Sequence, residues 1–123
     1  MKWLVDRFRY AFAGVRYGIA RDRSIRFQFI LALLAVLAGL VLQITLAEWL
    51  WVFLAITLVL SAEIFNSCLE KTVDYISKDI NPQAKMIKDM AAGAVFLMSC
   101  FAFLVACLIY IPRLVLMIQN IAG

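Results

Sequence analysis

From Phe27 to Ala47 the chain reads FQFILALLAVLAGLVLQITLA, 21 residues without a charge. A helix needs about 20 apolar residues to cross the hydrocarbon core of a bilayer. Only helices and closed barrels satisfy their backbone polar groups there, so the run commits the chain to a helical membrane protein. Composition agrees: 66% of the 123 residues are hydrophobic, against roughly 45–50% in soluble domains. At this length a single unit, residues 1–123, is expected, its core completed by lipid or by further copies of the chain.

The remaining spans follow from that first one, residues 27–47. After a short turn near Leu46–Glu48, with Trp49 and Trp51 at the opposite interface, the chain is apolar only as far as Leu60. To return across the membrane the second span, residues 49–77, must take in Ser61, Glu63, Asn66 and Glu70. Asn81-Pro82 interrupts it, because the residue before a proline disfavours helix. Residues 83–111 form the third span, with Pro112-Arg113 and the IQNIAG tail beyond it. Ahead of all three, residues 1–26 place Trp3, Leu4, Phe8, Phe12, Val15 and Ile19 on one broad face, margined by Arg7, Arg9, Arg16, Arg21 and Arg23. That is an amphipathic helix lying on anionic headgroups. Its charged part is too long for a secretory signal, and no cleavage site follows. The fold class is an all-α membrane protein: one surface helix and three transmembrane helices.

Eleven of the twelve Lys and Arg lie in the first 26 residues or between Lys71 and Lys88, and only Arg113 lies opposite. The positive-inside rule then puts the N-terminus and the Glu63–Asp89 region in the cytoplasm and the C-terminus outside. The net charge of +4 reads as topology, and no nucleic-acid partner is expected. With no histidine in the chain, His-based acid–base catalysis and His metal sites are excluded. Cys68, Cys100 and Cys107 lack CxxC spacing and read as packing residues.

Chemistry concentrates between Ser61 and Asp89, which hold five of the eight acids and four lysines. A carboxylate inside an apolar helix is costly and by default marks function. At about 100° per residue, Glu63, Asn66, Glu70 and Asp74 fall within an arc of roughly 80°, with Ser67 on the same side. Across Asn81-Pro82, Lys85, Lys88 and Asp89 open the next helix, so the lysines can face the carboxylates. The plainest reading is a set of interhelical salt bridges that drives assembly in a non-enzymatic subunit. Yet a clamp does not need three acids on one stripe, and Glu63 lies deepest, with no lysine at hand. An ion carrier using Glu63 lacks polar partners in the far half of its helix. Clustered carboxylates suit magnesium, which takes one or two of them plus substrate phosphates, and opposing lysines suit a triphosphate. No GxxxxGK[ST] phosphate loop is present.

The run Glu63-x-x-Asn66-Ser67-x-x-Glu70-x-x-x-Asp74, with Lys88-Asp89 and Ala91-Ala92-Gly93-Ala94-Val95, resembles the small prokaryotic diacylglycerol kinase family. The resemblance covers nearly the whole chain. Asn81-Pro82-x-Ala84-Lys85 and AAGAV look closer to the Gram-positive branch, whose members often phosphorylate undecaprenol. It implies an integral membrane lipid kinase of a bacterial cytoplasmic membrane, using ATP and Mg²⁺, assembled as a homotrimer with shared sites because three spans are too thin to bury these acids alone. Glu63 then matches the general base, and a carboxylate with little water about it is a stronger base. Glu70 and Asp22 match the metal ligands, Asp22 standing where glutamate is more typical. Tyr10, Asp22, Glu70, Asp79, Asn81, Lys88 and Asp89 match the ATP side, with Lys88 on phosphate. Glu63 and Ala92 match the lipid side, and Asn66 and Asp74 support the site. Trp3 departs from the family, where an arginine often stands.

Overall fold

The computed structural model describes residues 1–123 as four helices and no strand: α1 (Lys2–Arg21), α2 (Arg23–Leu42), α3 (Leu46–Ile76) and α4 (Pro82–Ala122). Three of them, α2, α3 and α4, are long and apolar enough to cross a membrane. The all-α architecture expected from hydropathy is therefore present, with different joints.

Each joint moves because a local polar group decides it. The surface helix ends at Arg21 rather than 26, since the Asp22 side chain accepts from Ser24 N and starts α2 there. The first span thus covers Arg23–Leu42 instead of 27–47. Its end is set by Gln43, which takes a left-handed conformation at φ 53°. The turn lies at 43–45, not at Leu46–Glu48. Thr45 and Glu48 then cap one another's backbone N–H groups and launch α3 at Leu46, a capping box in which each side chain satisfies an orphan donor.

At the other end of α3 the helix stops at Ile76, close to the expected 77. Asn81 caps the next helix, and Pro82 occupies its first turn, where a missing N–H costs nothing. Helix α4 does not stop at 111. It runs through Pro112 to Ala122, since proline removes only one donor and the residues beyond it are again apolar. Of the cysteines read as packing residues, Cys68 and Cys100 are exposed on the single chain and Cys107 is partly covered.

The antiparallel pair α3–α4 is the backbone of the molecule, and α2 packs against both. An ion pair sits toward each end of that hairpin: Glu48 with Arg113 at 2.6 Å, and Asp74 with Lys88 at 2.6 Å. The apolar core, Ile44, Val52, Ala55, Val105 and Ile109, lies toward the Glu48 end. There α2 and α3 approach closely over Gly39, where a Cβ would stand 2.7 Å from the Trp49 ring. The Tyr110 hydroxyl donates to the Ala35 carbonyl at 2.7 Å and ties α4 to α2.

Depth follows from helix rise. At about 1.5 Å per residue, Glu63 is roughly 26 Å along α3 from Leu46, and Glu70 is roughly 36 Å. A helix entering the hydrocarbon at Leu46 along the membrane normal would leave a core of about 30 Å between them.

Candidate active site

The α1–α2 elbow is the first part of the site. Asp22 belongs to both helices, closing α1 and capping α2, with Oδ1 accepting from Ser24 N at 2.9 Å. Arg26 reaches back and donates to the Ile19 and Ala20 carbonyls at 3.0 and 3.1 Å, which otherwise lack helical partners. Gly18 lets Ile25 seat against α1: a Cβ there would come within 2.8 Å of its side chain, and Ile25 is only 1% exposed.

The second oxygen of Asp22 leaves the elbow and accepts a hydrogen bond from the Ser67 hydroxyl of α3. Partial burial works against ionising this carboxyl. The Ser67 hydroxyl, the Ser24 and Ile25 amides and the charge of Lys71 outweigh it and hold the group below its ordinary value of 3.8. Asp22 is thus held as an anion at the junction of α1 and α2.

On α3 the stripe read from helical spacing is present, and it grades from buried to open. Glu63 and Ser67 are each 6% exposed, whereas Glu70 and Asp74 are open to solvent. A single chain therefore buries the deepest acid by itself and leaves Glu70 and Asp74 exposed, so three spans alone do not cover the whole stripe. Asp22 and Glu70 both lie within electrostatic reach of Glu63. Asn66 donates to Glu70 Oε1 at 3.4 Å, while its own Oδ1 is buried without a partner.

The lysines divide. Lys88 crosses to α3 and meets Asp74, as expected, but Lys85 pairs with Asp89 of its own helix at 2.6 Å. Four other expected residues are not drawn into the carboxylate group. Tyr10 is 65% exposed on α1, where its ring lies 5.4 Å from the Arg9 guanidinium. Asp79 lies exposed in the α3–α4 connection. Asn81 spends its side-chain oxygen on Ala84 N at 2.8 Å. Ala92 is exposed beside buried Ala91. Ser67, given no role of its own by the sequence, ties Asp22 at the α1–α2 elbow to α3.

The donor set fits magnesium. Asp22, Glu70 and the unpartnered Asn66 Oδ1 offer hard oxygens, the kind this ion takes. No three acidic side chains converge into a ready-made cage, and magnesium is usually held by one or two carboxylates completed by substrate phosphates.

Residues 9–110 match the family described as Prokaryotic diacylglycerol kinase. The chain belongs to that family. It is 32% identical over 107 residues to an undecaprenol kinase of Bacillus subtilis, covering 87% of each chain. To a diacylglycerol kinase of Synechocystis it is 35% identical over 117 residues, 94% of this chain and 67% of the relative. A diacylglycerol kinase of Helicobacter pylori is 33% identical over 93 residues, 76% of this chain and 73% of the relative. As a member of the prokaryotic diacylglycerol kinase family the chain is a membrane-embedded lipid kinase, with a lipid and a nucleotide as its substrates. That membership sets aside the non-enzymatic subunit and the ion carrier. The matched region takes in the elbow, the α3 stripe and the Asp74–Lys88 pair, and stops at Tyr110, short of the α4 tail.

Proposed function

We propose that this kinase transfers the γ-phosphoryl group of ATP to undecaprenol, with diacylglycerol as the second candidate acceptor. Glu63 carries the reading: a buried carboxylate just past the apolar run of α3, with Asp22 and Glu70 within electrostatic reach. A lipid hydroxyl sits near the membrane boundary while its tail stays in hydrocarbon, and Glu63 occupies that depth. The Bacillus relative supports undecaprenol, because the match covers the same large share of both chains.

Glu63 takes the hydroxyl proton as the lipid oxygen attacks the γ-phosphorus. One P–O bond forms, the bond to the β-phosphate oxygen breaks, and ADP leaves. Asp22 and Glu70 would hold magnesium, with Asn66 steadying Glu70; when bound, the ion neutralises triphosphate charge. Lys88 exchanges Asp74 for phosphate, which their exposed pairing permits, and Asp89 and Lys85 lie one turn away from each other on the same helix. Tyr10, Asp79 and Asn81 border the adenosine, and Ala92 leaves room for lipid. Phosphoryl transfer asks for positioning and charge neutralisation more than covalent help. The site faces the cytoplasm, where the basic residues cluster, and the working assembly is a homotrimer in a bacterial cytoplasmic membrane.

The deciding assay offers purified protein, ATP and magnesium with undecaprenol and diacylglycerol side by side. A larger kcat/KM for undecaprenol is expected. Preference for diacylglycerol would replace the acceptor, and phosphorylation of neither would remove the proposal.

A further inference from the structure

Ser67 is a small polar residue in an apolar helix, and such a hydroxyl ordinarily bonds the carbonyl four residues back on its own helix. Thr72, one turn further along, does so, donating to the Cys68 carbonyl at 2.7 Å. Ser67 does not. Its hydroxyl reaches Asp22, 45 residues away in sequence, and the contact is covered, with Ser67 6% exposed. The other oxygen of Asp22 is held by Ser24 N at 2.9 Å. Both carboxylate oxygens are therefore fixed, one by the elbow and one by the catalytic helix. The elbow itself has little freedom, since Arg26 ties its carbonyls and Ile25 is locked against Gly18.

We infer that Ser67 is a positioning residue, which orients the Asp22 carboxylate toward the divalent cation and registers the α1–α2 elbow against Glu63 and Glu70. The inference rests on the proposed metal role of Asp22. Hydrogen-bonded partners of ligating carboxylates set ligand orientation, and their loss typically costs about 10–100-fold in metal affinity. A shorter acid makes the demand sharper: an aspartate has one fewer bond than a glutamate with which to adjust its reach, so its direction must be set from outside.

The test is a double-mutant cycle with Mn²⁺ as the probe, its binding followed by electron paramagnetic resonance in the presence of a non-hydrolysable ATP analogue. Ser67→Ala should weaken Mn²⁺ binding about 10-fold, and Ser67→Thr, which keeps the hydroxyl, should restore most of it. In turnover, Ser67→Ala should raise the magnesium requirement while leaving kcat at saturating metal within about threefold of the parent. In an Asp22→Ala background the Ser67→Ala change should cost nothing further, because coupled residues are non-additive. Equal losses in both backgrounds, or no loss in the first, would overturn the positioning role. If Asp22→Ala alone leaves Mn²⁺ binding unchanged, the metal assignment fails, and the inference with it. Circular dichroism of each variant separates these outcomes from misfolding, and the Thr variant keeps the question answerable if the Ala variant does not fold.

Discussion

Glu63 is worth retaining in an apolar helix only if its charge state is used. Its neutral isostere keeps the shape and the hydrogen-bonding groups, so Glu63→Gln should leave helix content and oligomer unchanged or slightly more stable. Lipid phosphorylation should fall by at least about 100-fold, the lower end of what general base catalysis contributes. Unchanged transfer would remove the base assignment. Asp22 makes a different prediction, through pH. Its carboxyl is held below the ordinary value of 3.8 in the folded chain, so its contribution to stability is complete above that value. The contribution is lost as pH falls through the lower, folded value. Thermal unfolding in micelles should therefore show an acid-side loss beginning below pH 3.8 that is absent from Asp22→Asn. An identical acid limb in both proteins would show that the elbow does not depend on the ionised group.

Helices and their order were legible from hydropathy and proline, because a 21-residue uncharged run and an Asn-Pro break have few structural solutions. Their ends were legible only at the Asn81-Pro82 break, where α3 stops at Ile76 and α4 starts at Pro82; elsewhere caps depend on which short polar side chain wins locally. Asp22 and Thr45 each claimed an N-terminus within an otherwise continuous pattern. The α3 stripe was readable from spacing alone, and so, in principle, was the Lys85–Asp89 pair, which has the i,i+4 spacing of a same-helix ion pair. The Ser67–Asp22 contact had no local signal, since it joins residues from different helices. Asn81→Ala should test the α4 start: losing that cap should cost about 1 kcal/mol and speed amide exchange in the first turn of α4. Unchanged exchange there would mean the helix is held by packing alone. At Gly39 the constraint is steric. An added methyl meets the Trp49 ring, so Gly39→Ala should destabilise by about 1–3 kcal/mol, read as a lower midpoint of unfolding.

At the scale of the molecule, one chain is an incomplete object in water. It exposes 9555 Å², whereas a compact soluble monomer of this mass exposes about 6,700 Å². Only 12 of 123 residues are buried, so lipid or other copies must cover the rest. Yet the acids do not need a neighbour to meet. Asp22, Ser67 and Glu63 come together within one chain, and this bears on how any trimer divides its labour. If a site took Asp22 from one copy and Glu63 from the next, mixing the inactive Asp22→Ala and Glu63→Gln proteins would regenerate intact sites. With both acids supplied by the same chain, every site in a mixed assembly carries one defect. Co-expressing the two variants from one membrane should therefore give no more lipid phosphorylation than either alone, while crosslinking shows that they co-assemble. Recovery toward the statistical fraction of intact sites would mean that Asp22 serves a neighbouring copy, and that the elbow contact to Ser67 is exchanged between chains.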